Sequence, residues 1–385
     1  MATVADIEAF SARISDRTVW TFVRVRDTAG RRGWGEATLQ GEAAAVHERV
    51  AALAPAFEGR ALPSPLEAAV VVGTRGGSTA EAAAISAIDQ ALCDLAGQER
   101  RQPLAAVLGT ERRATIGLYA NINRGTADRR PAGFGERAQE ATARGFDAVK
   151  IAPFDDVSPG NAESVAGRRL LALGVERVAA VRAAIGPDRR LLVDCHWRFT
   201  ERAASEMLRE MEPLRLYWLE CPLSEDSSMF PALRRLRSQA NEGGVRLAGC
   251  ESMTGLDVFR AFLDAGVYDV IMPDVKYAGG LAEMLRIGEA AAERGVLCSP
   301  HNPSGPIAHA HSVHVSALLA AFPFLEIQYG ESPLFFDIVE GALPEPRGGT
   351  SVLPPGHGLG VGIDMARLRP LLADVRAPTH GIVQQ

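Results

Sequence analysis

Ionisable side chains recur at regular intervals after short apolar segments of this 385-residue chain. Six of them are separated from one another by 23 to 31 residues, about the length of one β-strand plus one α-helix. A lysine lies in a further apolar segment upstream. If these segments are parallel strands, their carboxyl ends meet at one mouth, where the side chains would converge. The seven residues are Lys150, Asp194, Glu220, Glu251, Asp274, His301 and Glu331.

Three of these groups, Asp194, Glu220 and Glu251, are carboxylates that follow successive segments. Such a set suits a hard cation with oxygen ligands, and Mg²⁺ accepts a few carboxylates while keeping positions for water and substrate oxygens. Three converging carboxylates without a cation would repel one another strongly. The pattern therefore predicts a Mg²⁺ site. The alternative is that these residues are helix N-caps or surface acids.

Two histidines stand close to these carboxylates in the predicted arrangement. His301 follows one segment and Asp274 the preceding one, so the carboxylate could hold the imidazole in one tautomer and raise its basicity. His196 lies two residues beyond Asp194 and would face the same way in an extended chain, beside the metal. The alternative for either histidine is a purely structural or packing role.

Other histidines and the cysteines carry less chemistry. His309, His311 and His314 fall on a predicted helix and lack the glutamate of the zinc-protease motif, so a metal site there is disfavoured. The five cysteines are scattered, odd in number and without a C-x-x-C pair, which predicts small buried hydrophobic residues rather than disulfides.

Eight short apolar segments, most of them separated by amphipathic helices, must position these groups. Strands alternating with helices are typical of a parallel sheet that is buried on both faces. Eight strands in about 210 residues favour a TIM-like barrel over an open doubly wound sheet, and no glycine-rich dinucleotide or phosphate loop follows a strand. The segments are 116–119, 148–151, 191–193, 216–219, 245–248, 270–272, 296–298 and 324–327.

The sequence before and after these segments has a different pattern. Residues 18–26 and 33–36 predict a hairpin, and residues 81–97 predict an amphipathic helix. We therefore expect an α+β unit at 1–112, a barrel at 113–340 and a proline-rich tail at 341–385 that packs back on the first unit.

Composition excludes several classes of protein. The chain is 47% hydrophobic and 23% charged, with a formal net charge of −6, which argues against a nucleic-acid-binding protein. The longest apolar run, 317–325, contains Pro323 and is too short to span a membrane. The first residues include acids and lack the pattern of a signal peptide. The expectation is a cytoplasmic enzyme.

The motifs in this order and spacing resemble the enolase superfamily, in its mandelate racemase/muconate lactonizing enzyme-like branch. The resemblance implies a modified TIM barrel, (β/α)7β, under an α+β capping domain completed by the tail. It also implies Asp194, Glu220 and Glu251 as Mg²⁺ ligands, a His301–Asp274 dyad, and abstraction of the proton α to a carboxylate. The segments that carry it are Gly33-Trp-Gly-Glu36, the helix 87–97, Phe146–Ile151, Val193-Asp-Cys-His196, Trp218–Pro222, Pro273–Gly280, Ser299-Pro-His301 and Gly358–Asp364.

Departures from the branch suggest which reaction follows. Racemases of the branch carry Lys-x-Lys at the second strand, whereas this chain has Lys150-Ile-Ala152 and lacks the second base. Asp-x-His at the third strand is similar to acid-sugar dehydratases of the galactonate or mannonate type, in which the histidine protonates the departing 3-hydroxyl group. Glu331 is favoured as the acid of the eighth strand, with Glu326 as the competing candidate.

The resemblance thus implies dehydration of an aldonate or aldarate to a 2-keto-3-deoxy acid. His301 would take the C2 proton, Mg²⁺ and Lys150 would stabilise the enediolate, and His196 would act as the acid. The loop Ile14–Arg17 would read substrate length. Expected substrate contacts are Arg17, Asn121, Asn123, Trp197 and Arg198.

Three alternatives stay open, namely an epimerase, racemase or cycloisomerase that uses the same intermediate, a catalytically silent binding protein, and a zinc hydrolase. The expected partner is a small carboxylate, with no nucleic acid or membrane, and the resemblance suggests a homo-oligomer.

Overall fold

The computed structural model of the chain describes residues 2–62 and 77–375. Its first part consists of β1 (Val4–Arg13), β2 (Val19–Asp27), β3 (Arg32–Glu36), α1 (Ala43–Leu53), a one-turn 3₁₀ helix (Ala54–Ala56), α2 (Thr79–Arg100) and α3 (Leu104–Leu108). The three strands form an antiparallel sheet in the order β1-β2-β3. The predicted hairpin is β2 and β3, and the predicted helix is α2, three residues longer at its carboxyl end. The sequence analysis did not anticipate β1 or α1.

Two glycines allow β3 to lie directly on α2. A Cβ at Gly33 would come within 2.0 Å of the carbonyl oxygen of Ala91, and a Cβ at Gly35 would come equally close to that of Ala87, also 2.0 Å. Glycine inside a strand often marks such a close backbone approach. A larger side chain at either position would push the helix away from the sheet.

The second part contains eight parallel strands, and each of the first seven is followed by a helix. Its elements are β4 (Thr115–Asn121), α4 (Pro131–Ala143), β5 (Ala148–Ile151), α5 (Val165–Ile185), β6 (Arg190–Asp194), α6 (Glu201–Met211), β7 (Trp218–Glu220), α7 (Phe230–Glu242), β8 (Arg246–Gly249), α8 (Leu256–Ala265), β9 (Val270–Ile271), α9 (Leu281–Glu293), β10 (Leu297–Cys298), α10 (Pro306–Ser316) and β11 (Leu325–Gln328).

The parallel sheet closes on itself. Strands β4 to β10 are neighbours in chain order, and β11 returns to pair with β4. Between β10 and β11, the Ser299 hydroxyl donates to the Phe324 carbonyl (2.7 Å), and the Glu326 amide lies 3.4 Å from the Pro300 carbonyl. The predicted (β/α)7β barrel is therefore confirmed, and all eight predicted segments overlap observed strands, with ends displaced by at most two residues.

The barrel interior is apolar below its mouth and polar at it. Alternate residues of a strand face the same side, so the residue two positions beyond an interior apolar side chain also points inward. Lys150, Asp194 and Glu220 each lie two positions beyond a residue of a buried interior layer. That layer consists of Tyr119, Ala148, Leu192, Trp218, Ala248, Val270 and Met272, with Phe324 packed against it.

The last part of the chain contains short strands, although its sequence has no strand–helix rhythm. It comprises α11 (Leu334–Asp337), β12 (Val339–Gly341), β13 (Thr350–Val352), β14 (Val361–Ile363) and α12 (Met365–Leu368). Strand β12 pairs with β14, and β13 pairs with β4 of the barrel. The Ala373 amide donates to the Ser11 carbonyl of β1 (2.9 Å). Residues 376–385 of the predicted tail lie outside the described residues.

Two features of the sequence analysis can be compared with this fold. Within residues 2–62 and 77–375, no helix is long and apolar enough to cross a membrane. All five cysteines are buried and unbridged, as their scattered positions predicted. The fold is thus held by packing and hydrogen bonding without disulfide cross-links.

Candidate active site

A triad of carboxylates lies where β6, β7 and β8 end. Asp194 and Glu220 are the last residues of their strands, and Glu251 follows β8 by two residues. Ligand atoms of all three lie within 4.8 Å of one another, and all three side chains are buried. In the part of the chain that the structure describes, this is the only such group of acidic, histidine or cysteine side chains.

The electrostatics of the triad favour a cation. Burial, and then repulsion from Asp194 and Glu220, raise the pKa of the Glu251 carboxyl well above its usual range. Burial also raises the pKa of Glu220, against the attraction of Lys150. The Oε2 atom of Glu251 is buried and has no hydrogen-bond partner among the described residues. Three carboxylates that each offer an oxygen ligand, one of them with an oxygen that accepts no hydrogen bond from the described chain, fit a hard divalent cation such as Mg²⁺.

The backbone turns sharply at each of these strand ends. Four non-glycine residues there have positive φ angles, and such conformations are uncommon outside glycine. They are His196 (45°), Trp197 (56°), Cys221 (44°) and Cys250 (71°). Each turn is held to the next strand by backbone bonds, for example from the Cys221 amide to the Ala248 carbonyl (3.0 Å). The turns thus fix the directions of the carboxylates.

His196 reaches the triad by a route that differs from the predicted one. We expected an extended chain at 194–196, and this is wrong because the φ angle of His196 is positive. The imidazole nevertheless contacts the carboxylate, since its Nε2 lies 2.8 Å from Asp194 Oδ2. Asp194 Oδ1 accepts from the His196 amide (2.9 Å), which locks the turn. The left-handed turn therefore brings His196 to one side of the triad.

His301 and Asp274 meet on the other side. His301 Nδ1 donates to Asp274 Oδ2 (2.8 Å), and this leaves Nε2 as the acceptor nitrogen, 3.7 Å from Glu251 Oε2. Burial lowers the pKa of His301, and the hydrogen bond with Asp274 opposes that shift. A neutral imidazole with its free lone pair directed at the triad can accept a proton there.

A buried lysine that the sequence analysis did not single out completes this arrangement. Lys276 Nζ forms an ion pair with Asp274 Oδ2 (3.0 Å), and the Lys276 amide donates to Asp274 Oδ1 (2.8 Å). The Tyr277 hydroxyl lies 3.4 Å from His301 Nδ1. Asp274 is therefore held from two directions. The signal was present in the sequence, because Lys276 follows Asp274 at the same two-residue interval as His196 follows Asp194.

Lys150 connects the triad to the eighth strand. Its ammonium group donates to Glu220 Oε1 (2.6 Å) and Glu326 Oε1 (2.9 Å) and lies 4.0 Å from Asp194 Oδ2. Burial disfavours the charge, but attraction from Glu220 and Glu326 outweighs it and raises the pKa of Lys150 well above its usual value. Lys150 is thus a fixed cation at the barrel mouth.

The structure separates the two candidates for the eighth-strand acid. Glu326 lies on β11, is fully buried, and contacts Lys150 and the Asn302 amide (2.9 Å). Glu331 lies beyond the strand, where it accepts from the Thr18 hydroxyl and sits 3.5 Å from Arg124 Nη1. The sequence analysis favoured Glu331. The structure places Glu326, not Glu331, in the cluster with Lys150.

The predicted substrate contacts fall into two groups. Asn121 Nδ2 donates to Glu326 Oε1 (2.7 Å), so this side chain lies in the cluster. The Asn123 carboxamide accepts from Arg129 (2.8 Å), and Arg198 donates to the Phe154 carbonyl (2.9 Å), so both support loops. Arg17 is exposed, next to Thr18 on the loop that reaches Glu331.

Trp197, the remaining predicted contact, leads to an acid that the sequence analysis missed. Glu225 accepts from the Cys250 amide (2.6 Å), next to Glu251. Burial raises the pKa of the Glu225 carboxyl, whereas polar contacts with the Cys250 amide and with the Tyr268 and Trp197 side chains lower it. This carboxylate ties together turns that carry His196 and Glu251. Glu225 lies in the loop between β7 and α7, where no strand or helix periodicity pointed to it in the sequence.

The three histidines of α10, for which the sequence analysis disfavoured a metal site, each contact a different part of the chain. His311 Nε2 donates to the Trp34 carbonyl (2.8 Å), His314 Nδ1 accepts from the Ala105 amide (3.2 Å), and His309 contacts Asn302. Each imidazole thus bonds to a different neighbour. Burial lowers their pKa values to about 4, 3 and 4 for His309, His311 and His314 respectively, which keeps the rings neutral.

Comparisons with known families agree with this architecture. Residues 8–109 match the family described as mandelate racemase/muconate lactonizing enzyme, N-terminal domain. Residues 133–367 match the family described as enolase C-terminal domain-like. The two matches together cover most of the chain.

Individual relatives span nearly its whole length. The chain is 33% identical over 381 residues to D-gluconate dehydratase of Thermoproteus tenax, covering 94% of this chain and 73% of that protein. It is 29% identical over 359 residues to D-galactonate dehydratase of Ralstonia nicotianae, covering 90% and 89%. Among solved structures, 3,6-anhydro-D-galactonate cycloisomerase of Zobellia galactanivorans is 26% identical with a TM-score of 0.84, covering 97% of this chain and 100% of that chain. A mandelate racemase/muconate lactonizing enzyme-like protein of Rubrobacter xylanophilus is 29% identical with a TM-score of 0.83, covering 97% and 98%.

Proposed function

Because the chain belongs to the mandelate racemase/muconate lactonizing enzyme family, we propose that it is a Mg²⁺-dependent sugar-acid dehydratase. The observation that carries the proposal is the placement of two histidines on either side of one carboxylate triad. His301 Nε2 lies 3.7 Å from Glu251, and His196 Nε2 lies 2.8 Å from Asp194. A base and an acid separated by a metal site are the groups that elimination of water requires.

The relatives support this class of reaction. Two of them are named dehydratases of D-gluconate and D-galactonate, which are both aldonates. The lysine that would serve as an opposite-face base is absent, because the second strand reads Lys150-Ile-Ala152. A dehydration that needs one base and one acid is consistent with these residues.

Asp194, Glu220 and Glu251 would hold the metal ion. A bound Mg²⁺ supplies positive charge that stabilises the substrate carboxylate as the adjacent proton leaves. The free Oε2 of Glu251 and the mutual repulsion within the triad are the features of this chain that fit the ion.

His301 would remove the proton from C2 of the substrate. Asp274 holds Nδ1–H, so the lone pair on Nε2 faces the triad and can take the proton. Lys150 is a second fixed cation for the negative charge that develops on the substrate, and Glu326 positions it through the 2.9 Å ion pair. We assign the eighth-strand role to Glu326 for this reason.

His196 would complete the elimination. As the C2–H bond breaks and the C2–C3 double bond forms, the C3–O bond breaks, and His196 gives its proton to the departing hydroxyl group. The products are water and an enol, which tautomerises to a 2-keto-3-deoxy acid. A cycloisomerase or epimerase would share the first step, and the structural similarity to a cycloisomerase keeps that outcome open to test.

Proton NMR of a panel of aldonic and aldaric acids with enzyme and Mg²⁺ in D₂O tests the proposal. We expect one acid to disappear while the signal of a new 3-deoxy methylene group appears. Loss of an α-proton signal without loss of water would instead establish epimerisation and make His196 a base. No change in any acid, with Mg²⁺ shown to bind by calorimetry, would refute the proposed function.

A further inference from the structure

Gln328 has a buried side-chain amide in which one polar atom makes no hydrogen bond within the part of the chain that the structure describes. It is the last residue of β11, and only 6% of its surface is exposed. Its Nε2 donates to the Asn121 carbonyl (3.2 Å), whereas Oε1 has no hydrogen-bond partner among the described residues. Because a buried acceptor without a donor is costly, such an atom calls for a ligand or another explanation.

The position of Gln328 in the barrel places it at the mouth. Gln328 pairs with Asn121 of β4, as Glu326 pairs with Tyr119. Residues two apart on a strand face the same side, so Gln328 shares the inner face with Glu326, one step nearer the carboxyl end. Asn121 in turn pairs with Lys150 of β5. Gln328 therefore stands next to the Lys150–Glu326 cluster, at the carboxyl end of the sheet where the proposed site lies.

The facing amide of Asn121 cannot take this role as readily. Asn121 uses Nδ2 to bond Glu326 (2.7 Å) and Oδ1 to accept from the Asn123 amide (3.0 Å). Gln328 keeps its Nε2 on a carbonyl, which fixes the rotation of the amide and leaves Oε1 as an acceptor only. An acceptor oxygen can bind a hydroxyl group of a substrate. This acceptor and the Glu326 carboxylate on the same face together disfavour a substrate with a second anionic group there.

We propose that Gln328 Oε1 accepts a hydrogen bond from a hydroxyl group of the substrate beyond C3. Gln328 thereby selects a polyhydroxy monoacid over a short or deoxygenated acid. This inference rests on the proposed function, since it deepens the definition of that substrate. Gln328 touches neither the proton at C2 nor the leaving hydroxyl group, so its effect falls on substrate binding.

The variant Gln328→Met tests the inference, with Gln139→Met on the exposed face of α4 as the matched control. Methionine has a similar length but no acceptor. Steady-state kinetics would use the aldonate that the panel identifies and its 4-, 5- and 6-deoxy analogues. We expect Gln328→Met to lower kcat/KM for the parent acid about tenfold through KM, while one deoxy analogue is handled equally by variant and wild type.

Two kinetic results would overturn the inference. An equal loss for the parent and every analogue would assign Gln328 to support of the β4–β11 pair, and no loss for the parent would remove it from recognition. Binding of D-gluconate, D-galactonate and glycerate to the Mg²⁺-loaded enzyme, measured by calorimetry, gives the same comparison without turnover. Absence of dehydration by wild type refutes the proposed function, whereas equal affinity of wild type for the three acids refutes the role of Gln328.

Discussion

Single side chains of the site owe their positions to partners on other strands. His301 is oriented by Asp274 of the preceding strand, and Lys150 is held by carboxylates from β7 and β11. His196 depends instead on its own left-handed turn and on Asp194. Because each residue has a different support, the proposed steps of the reaction can be separated by single substitutions.

Replacement of His301 by Asn should abolish exchange of the C2 proton. Asparagine keeps a donor towards Asp274 but has no basic nitrogen, so we expect a rate loss of about 10²- to 10⁴-fold. Deuterium incorporation at C2, followed by NMR in D₂O, measures the effect. His357→Asn, at an exposed position, is the matched control and should exchange at the wild-type rate. Exchange that persists in His301→Asn would exclude this residue as the base.

Replacement of His196 by Asn should have the complementary effect. Removal of the proposed acid leaves His301 and the triad in place, so C2 exchange continues while formation of the 3-deoxy product falls at least about 10²-fold. Both rates can be followed in the same NMR experiment. A parallel loss of exchange and dehydration would contradict the division of roles between the two histidines.

At the scale of elements, acidic groups of the first part of the chain cap two helices of the barrel. Asp89 of α2 accepts from the Leu281 amide at the start of α9 (2.7 Å). Glu36 of β3 accepts from the Gly305 (2.7 Å) and Ala308 (2.9 Å) amides at the start of α10. The first turns of α9 and α10 lie just beyond Asp274 and His301. The capping acids thus support the loops that carry the dyad.

Asp89→Ala should destabilise the protein more than Asp89→Asn. Alanine leaves the Leu281 amide without an acceptor, whereas asparagine retains a carbonyl oxygen, and loss of a helix cap costs about 1–2 kcal/mol. Burial raises the pKa of Asp89 to about 7, so a neutral amide is a mild replacement. Urea unfolding of both variants measures the difference. Equal free energies of unfolding would show that this bond does not stabilise the fold.

On the scale of the whole molecule, α10 lies where three parts of the chain meet. His311 bonds to Trp34 of β3, and His314 bonds to the Ala105 amide and, through Nε2, to the Leu359 carbonyl (3.2 Å). We propose that residues 1–112 and 341–385 together cap the barrel of residues 113–340, with this helix as a common support. Because the histidines of this helix are neutral and buried between the parts, their protonation at low pH should weaken the contact between the cap and the barrel.

The lowered pKa of His311 determines the direction in which the stability of the fold changes with pH. The folded pKa of His311 is lowered to about 3, so between pH 3 and about 6.5 the unfolded chain binds more protons. Stability from this group is therefore present above pH 6.5 and is lost as the pH falls. Burial raises the pKa values of Asp89 and Asp94 to about 7 and about 6, which gives the opposite slope.

Comparison of wild type with His311→Gln isolates the histidine, because the aspartates are common to both. Wild type should lose about 2 kcal/mol more than the variant in free energy of unfolding between pH 7 and pH 5. Urea titrations at the two pH values provide the measurement. Parallel pH dependence of the two proteins would mean that His311 does not resist protonation in the fold.

The sequence alone determined the barrel, its eight strands and most of the side chains that meet at its mouth. This was possible because strand periodicity and a repeat of about 27 residues are local properties, and the closed sheet brings corresponding strand ends together. The association of Asp194, Glu220 and Glu251 follows from that repeat, and so does the contact of His301 with Asp274.

Only the tertiary structure decided between side chains that differ by a few positions. The sequence analysis favoured Glu331, which follows segment 324–327, over Glu326 within that segment, whereas the pairing of β11 with β4 places Glu326 against Lys150. The turn at His196 and the free oxygen of Gln328 likewise depend on neighbours far along the chain. The alternation that assigns residues to a strand and to one of its faces is encoded locally. The contacts that orient each polar atom form only when the barrel closes.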